Sequence, residues 1–420
     1  MISCLLPFVC SAPSGFSLHD GDRVLFYGDS ITDNQFYPQF VENYVVTRFP
    51  NMRVVFMNYG WSGDRVSGGG GGDIAKRLDR DVLPFHPSVV TIMLGMNDGA
   101  YRPWDDNIAK TFESGYEHIL DVLRNRGNPR ITLIKPSPFD DVTLQSTGYN
   151  AVLQRYGDFL AGLAPKWSTT VADFNSPVVD LLNKAKEIDA ENARKLIPDR
   201  VHPNWSAHTV MGAALLKAWG APSLVSATQI DASTSAIALD NAAVRDLKPT
   251  PNGLTWRELE NSLPVFFDRN NQLLTLVLRA STVFDDVDQE PLKVSNLTVG
   301  GYKLGIDGQD MGTFTAEQLG NGINLAELAT PMIKQAQSVA QWTARRQFLR
   351  QTTWRNIVVA TEGLGLSQRD QAVRALERLE SDIVDHQHQA ARPVWHTFTL
   401  EKALARASAV ARARPRSLGT

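Results

Sequence analysis

A serine, an aspartate and a histidine occupy positions from which they can form a proton relay. Ser30 follows the apolar run 23–27 through Gly28-Asp29 and precedes Ile31-Thr32. This strand, tight turn and helix order projects a hydroxyl outward. A serine hydroxyl is a weak nucleophile until a base removes its proton. His202 can be that base, because an unperturbed imidazole titrates close to neutral pH. Asp199 lies three residues earlier and can accept the other imidazole N–H, which would fix the tautomer and stabilise the imidazolium. The chain order Ser, Asp, His matches one of the convergent triad orders. An oxyanion formed by attack on a carbonyl needs donors, and three are at hand: the Ser30 N–H, the Gly60 N–H and the Asn97 side-chain amide. Each residue also has a plainer reading. Ser30 can cap the following helix, Asp199 and Gly60 can be turn residues, Asn97 can brace its loop, and His202 can be a surface or capping histidine. Asp29 and Asp98 are read as loop-bracing groups. The order and joint placement of the set carry the argument.

Those residues must be positioned by the elements between them. Apolar runs at 23–27, 53–57, 89–94, 131–134 and 170–172 predict strands. Runs with helical spacing at 36–49, 74–83, 107–124, 149–164 and 206–219 predict helices. Continuous apolar strands alternating with helices imply a mostly parallel sheet covered on both faces, and right-handed crossovers then give a three-layer α/β/α sandwich. Ligands bind outside the carboxyl ends of such strands. Gly28–Thr32, Asn58–Trp61 and Gly95–Asp98 directly follow strands, and Asp199–His202 precedes the last helix. Near Pro222 the composition shifts to Ser, Thr, Ala and Asp. Strand-like runs at 273–278 and 302–306, with a hairpin signal at Asp307-Gly308, predict a small β-rich unit. From 326 to 404 the pattern is mostly helical: Trp342, Phe348 and Trp354 punctuate one long helix or helix pair, and 372–384 is a second run. The expected division is an N-terminal segment 1–19, a catalytic domain 20–222, a β-rich accessory unit 223–325, a helical region 326–405 and a basic tail 406–420.

The blocks GDSIT, NYG, GMND and DRVH together resemble the four blocks of the SGNH hydrolases, also called GDSL esterases/lipases, over roughly residues 20–220. The resemblance implies a flavodoxin-like α/β/α fold and ester hydrolysis through an acyl-enzyme, with no cofactor or metal. Carried over by residue, it makes Ser30 the nucleophile and first oxyanion donor, Gly60 and Asn97 the other donors, and Asp199 and His202 the rest of the triad. The family includes lipases, lysophospholipases, thioesterases and carbohydrate acetylesterases. The preferred expectation is removal of acetyl or another short acyl group from a carbohydrate. A lipid esterase or thioesterase and a non-catalytic carbohydrate-binding protein are the alternatives. The second half of the chain lies outside the compact family fold and is expected to cover the site, bind a polymer or mediate self-association.

Composition narrows the rest. The 420 residues hold 42 Lys and Arg against 45 Asp and Glu, so the generally basic surface of a nucleic-acid binder is absent. The two cysteines, Cys4 and Cys10, exclude a disulfide framework and a cysteine-based zinc or iron–sulfur centre. No run approaches the ~18 apolar residues of a membrane helix. The start, MISCLLPFVCSA, reads as a truncated export signal, a disordered or docked terminus, or a lipoprotein-like signal at Cys10. Periplasmic or secreted placement is slightly favoured, and cytoplasmic placement stays open. Gly68–Gly72 lacks the Lys-Ser or Lys-Thr of a phosphate loop and reads as a connector or a flexible rim. Trp61 and Trp104 follow the site loops and are candidate substrate-stacking residues, packing being the alternative. His208 is read as a helix residue, and His386 and His388 as a solvated face with no third ligand.

Overall fold

The computed structural model describes residues 15–403; the start with Cys4 and Cys10, and the basic tail, lie outside them. Five strands form the first sheet: β1 (Arg23–Gly28), β2 (Val55–Asn58), β3 (Val89–Met93), β4 (Arg130–Lys135) and β5 (Thr170–Asp173). They are parallel, in the order β2-β1-β3-β4-β5. Every residue of VVTIM in β3 is buried, as expected of a central strand covered on both faces. The helices α2 (Phe36–Arg48), α3 (Asp106–Arg126), α4 (Tyr149–Trp167), α5 (Ser176–Ile188) and α6 (Trp205–Ala218) supply the outer layers. Strand order reverses between β1 and β3, the place where open α/β sheets bind ligands. Register does the rest. Phe26 lies opposite Asn58, and Gly28 opposite Met93, so the loops after β1, β2 and β3 leave the sheet at one rim.

Two further sheets follow. β6 (Ala227–Asp231), β7 (Ile237–Asp240) and β10 (Pro291–Ser295) join the short strand Ile323–Asn324 in one. β8 (Ala242–Thr250), β9 (Gly253–Glu260), β11 (Gly301–Ile306), β12 (Gln309–Thr315) and β13 (His396–Lys402) form the other, in the order β8-β9-β13-β11-β12. The turn at Asp307-Gly308 joins β11 to β12.

Three expectations need correction. Residues 273–278 are not a strand but part of helix α7 (Gln272–Ala280). A short continuous apolar run does not distinguish the two states; Asn271, whose side chain accepts from the N–H groups of Leu273 and Leu274, caps a helix start. Residues 396–402, read as the end of a helical region, are the central strand of the accessory sheet, with alternate side chains His396, Phe398 and Leu400 buried. Residues 74–83 form no single regular helix: an α turn at Ile74–Arg77 passes into a π turn at Leu78–Val82 and a 3₁₀ turn at Leu83–Phe85.

The long helices α8 (Pro331–Thr352) and α9 (Ser367–Ala390) form an arm that returns to the first half. Buried Arg346 of α8 donates to both carboxyl oxygens of Glu42 on α2, to the Phe56 carbonyl and to Glu380 on α9. Gln387 adds bonds to Glu42 and Thr343. At the C-terminal end of α2, Arg48 donates to the carbonyls of Pro222, Leu224 and Val287. Helix α2 is therefore gripped at its middle and at its C-terminal end by later parts of the chain.

Behind Arg48, Glu260 and Glu290 are fully buried, and none of their four carboxyl oxygens meets a donor among the described residues. Burial, reinforced by their mutual repulsion, pushes Glu260 well above the usual carboxylate range; burial and the nearby charges of Asp288 and Glu258 raise Glu290 to about 8. The folded state thus keeps protons that the unfolded chain releases above about pH 4.5, so this pair lowers stability as pH rises from there toward 8. Glu290→Gln is expected to melt several degrees above the parent at pH 8–9, with the gap closing near pH 5. Thermal melts across that range test the sign.

Candidate active site

Ser30 opens the single helical turn α1 (Ser30–Asp33) directly after β1, and Asp29 caps that turn through the Ile31 N–H at 3.0 Å. The hydroxyl of Ser30 is therefore not needed as a cap. Its Oγ lies 2.8 Å from His202 Nε2, and His202 Nδ1 lies 2.6 Å from Asp199 Oδ2. A carboxylate only accepts, so Nδ1 carries the proton and Nε2 is left to accept from Ser30. Asp199 Oδ1 takes the N–H groups of Val201 and His202, which closes the turn. Between them Arg200 adopts a left-handed φ of 72°, held by Asp140, which donates its N–H to the Arg200 carbonyl. Burial works against ionisation of Asp199, but the His202 ring and the two N–H donors hold its carboxyl below the usual range. A hydroxyl held against an imidazole whose other nitrogen is held by a carboxylate can lose its proton as it attacks a carbonyl. His202 and Asp199 are 37 % and 55 % exposed, so the relay opens to solvent and to incoming substrate.

Gly60 follows β2. A Cβ there would stand 2.3 Å from the Asp33 nitrogen and 2.7 Å from the Thr32 carbonyl carbon, so only glycine lets this loop lie against the Ser30 turn. Its N–H donates to Asn58 Oδ1 at 2.8 Å, so an oxyanion bound there would have to share or take over that donor. The carbonyl of the same peptide, on Tyr59, accepts from fully buried Arg77, which also pairs with Asp64 and Asp81.

Asn97 donates Nδ2–H to the Asp64 carbonyl at 3.0 Å, while the Tyr101 hydroxyl reaches Asn97 Oδ1 at 2.9 Å. Ala100 and Tyr101 are consecutive non-glycine residues with φ of 51° and 56°. Left-handed backbone costs roughly 1–2 kcal/mol per residue. Asp29 and Asp98 brace their loops as expected, Asp98 through the Val66 N–H at 2.9 Å. Burial raises both carboxyls to about 7, with the nearby charges of Asp98 and Asp64 adding to the effect on Asp29.

The arm supplies residues that no motif announced. Asp33, on the Ser30 turn, accepts from Ser62 Oγ at 2.9 Å, Gln351 at 3.0 Å and Arg355 at 2.9 Å. Arg355 also donates to the Gly60 carbonyl at 3.0 Å and stacks 3.7 Å above the Trp61 ring. A site aspartate and an arginine on opposite halves of the chain carry no local signal.

The two tryptophans do not present bare platforms. Trp61 lies beneath Arg355, edge-on to Trp354, with Gly70 and Gly71 against its ring. The glycine run has its cause here: a Cβ on Gly71 would strike Trp61 and Arg77. The run forms a short ladder, Gly68–Gly69 with Gly72–Asp73. Trp104 is covered by Arg155 at 3.3 Å and packs on Tyr156. Fully buried His208 accepts the Tyr37 N–H, and burial lowers its ring to about 3, so it stays neutral in the core. His386 stacks on Trp342 while His388 meets the Pro50 carbonyl, two separate contacts rather than a pair. Among the described residues no helix is long and apolar enough to cross a membrane.

The parallel 2-1-3-4-5 sheet thus carries a linked serine, histidine and aspartate among the loops at one rim. Residues 26–210 match the GDSL-like lipase/acylhydrolase family, and this domain is that of an ester hydrolase. An acetylxylan esterase of Geobacillus stearothermophilus is 26 % identical over 223 residues, 48 % of this chain and 94 % of that protein. The solved structure of a gut microbial diltiazem-metabolizing enzyme matches 91 % of this chain and 98 % of its own with a TM-score of 0.80 at 24 % identity. The shared fold therefore extends into the accessory sheets and the arm. A solved acetylxylan esterase from Geobacillus stearothermophilus covers 49 % of this chain and 97 % of its own, at 22 % identity and a TM-score of 0.41.

Proposed function

We propose that the enzyme removes acetyl or other short acyl groups from a carbohydrate through an acyl-enzyme, with Ser30 as nucleophile. The observation that carries this reading is the continuous line from Ser30 Oγ through the His202 ring to Asp199. Ser30 Oγ attacks the ester carbonyl carbon as His202 Nε2 takes its proton. The carbonyl oxygen becomes an oxyanion, stabilised by the N–H groups of Ser30 and Gly60 and the Asn97 amide. The tetrahedral intermediate collapses, the C–O bond to the alcohol breaks, and His202 returns the proton to the leaving oxygen. Water, deprotonated by His202, then attacks the acyl-serine; its collapse releases the acid and restores Ser30 Oγ–H. Asp199 stays ionised throughout and stabilises the imidazolium.

The acetyl preference is supported by the acetylxylan esterase relative. The likeness to a diltiazem-metabolizing enzyme over most of the chain favours including non-carbohydrate acetyl esters among the substrates tested. A panel of acetylated xylo-oligosaccharides, aryl acetates and acyl esters of increasing length, with Ser30→Ala as control, decides the matter. Turnover is expected to fall as the acyl chain lengthens. Faster turnover of long acyl chains would replace the acetyl reading by that of a lipid esterase. Polymer binding without hydrolysis, unchanged in Ser30→Ala, would leave only a binding protein.

A further inference from the structure

Asn97 can assist only if its amide faces the right way, because Nδ2 donates and Oδ1 repels an oxyanion. One side of that amide meets the Asp64 carbonyl, a pure acceptor, so the nitrogen must lie there. The oxygen then faces Tyr101, whose hydroxyl donates to it. One Nδ2 hydrogen goes to Asp64, and the second is left for a reacting carbonyl oxygen.

We infer that Tyr101 is a positioning residue of the oxyanion hole: its hydroxyl locks the Asn97 side-chain amide with the free N–H turned toward the reacting carbonyl. The inference rests on the oxyanion role proposed for Asn97. Three observations converge on it. The Tyr101 hydroxyl satisfies the Asn97 oxygen across four residues of loop. Its backbone is held left-handed together with that of Ala100, a strained state that local packing has to maintain. That packing is present: the ring rests 5.2 Å from Tyr149, and Tyr149 itself anchors the loop by donating to the Met96 carbonyl at 2.6 Å. Gly99 completes the fit, since a Cβ there would stand 2.5 Å from the Tyr149 hydroxyl oxygen. Tyr101 is nonetheless 47 % exposed. Burial, together with the charges of Asp29 and Asp199, raises its phenol, which stays protonated and able to donate at neutral pH.

Tyr101→Phe keeps the ring and its packing and removes only the donor. With an aryl acetate, kcat is expected to fall about ten-fold, the size of one lost hydrogen bond, with KM unchanged. Asn97→Ala should lose about 10²–10³-fold in kcat. The double variant should be no slower than Asn97→Ala alone, because Tyr101 acts only through Asn97. A purely structural tyrosine would instead lower the melting temperature and add its loss to that of Asn97→Ala. Full kcat in Tyr101→Phe, or additive losses in the double variant, overturns the inference while leaving the oxyanion role of Asn97 intact. Full activity in Asn97→Ala, with Ser30→Ala inactive, refutes that role and the inference with it.

Discussion

Ser30→Ala is expected to lose about 10⁴–10⁶-fold in kcat against an aryl acetate, with the melting temperature within a degree or two of the parent. The size follows from how such relays work as units: removing the nucleophile leaves only binding and the oxyanion donors to assist water. The stability half of the expectation comes from the local structure. Asp29, not Ser30, caps the turn, and the Ser30 hydroxyl makes its hydrogen bond to a solvent-open imidazole. His202→Ala should be nearly as severe, and combining it with Ser30→Ala should cost little more. Steady-state kinetics on the three variants, with melts alongside, test this. Substantial turnover in Ser30→Ala would remove Ser30 as nucleophile, and a large fall in melting temperature would show the turn to be built differently.

The second large effect is expected from a single methyl group. Gly60→Ala places a Cβ 2.3 Å from one backbone atom and 2.7–2.8 Å from two others, all in the Thr32-Asp33 segment. Backbone cannot swing aside as a flexible side chain does. The loop after β2 or the Ser30 turn has to shift, and both are pinned: Asp33 by Ser62, Gln351 and Arg355, and the Tyr59 carbonyl by Arg77. The expected result is a loss of about 10²–10³-fold in kcat, the usual cost of one oxyanion donor, together with a lowered melting temperature. An alanine variant with parental kcat would mean that the Gly60 N–H plays no part in the reaction and that the close approach is only packing.

Much of the first half was legible because its signals are local. Five apolar runs of three to six residues, each followed by a helical stretch, leave few alternatives to a parallel sheet; Ser30, Gly60 and Asn97 stand just after three of those runs, and Asp199 and His202 just before the last helix. Legibility failed where local pattern is ambiguous or overridden. The run 273–278 reads equally as strand or helix until Asn271 is recognised as a cap. Residues 396–402 alternate cleanly, yet their partners β9 and β11 lie far upstream, so the strand looks like an unattached tail of a helical region. Trp61 and Trp104 follow the site loops as sequence suggested, but Arg355 and Arg155 lie over their rings.

The sequence alone determined the class of the first domain and singled out Ser30, Asp199 and His202, which the fold brings within hydrogen-bond distance, because strand and helix periods and the site loops are each written within a few residues. Only the tertiary structure decided what surrounds them. Arg355 reaches Asp33 across 322 residues, Arg346 reaches Glu42 across 304, and Trp354 reaches Asp81 across 273. A buried charge meets its partner through the packing of whole elements, and no periodicity along the chain encodes which distant carboxylate that will be.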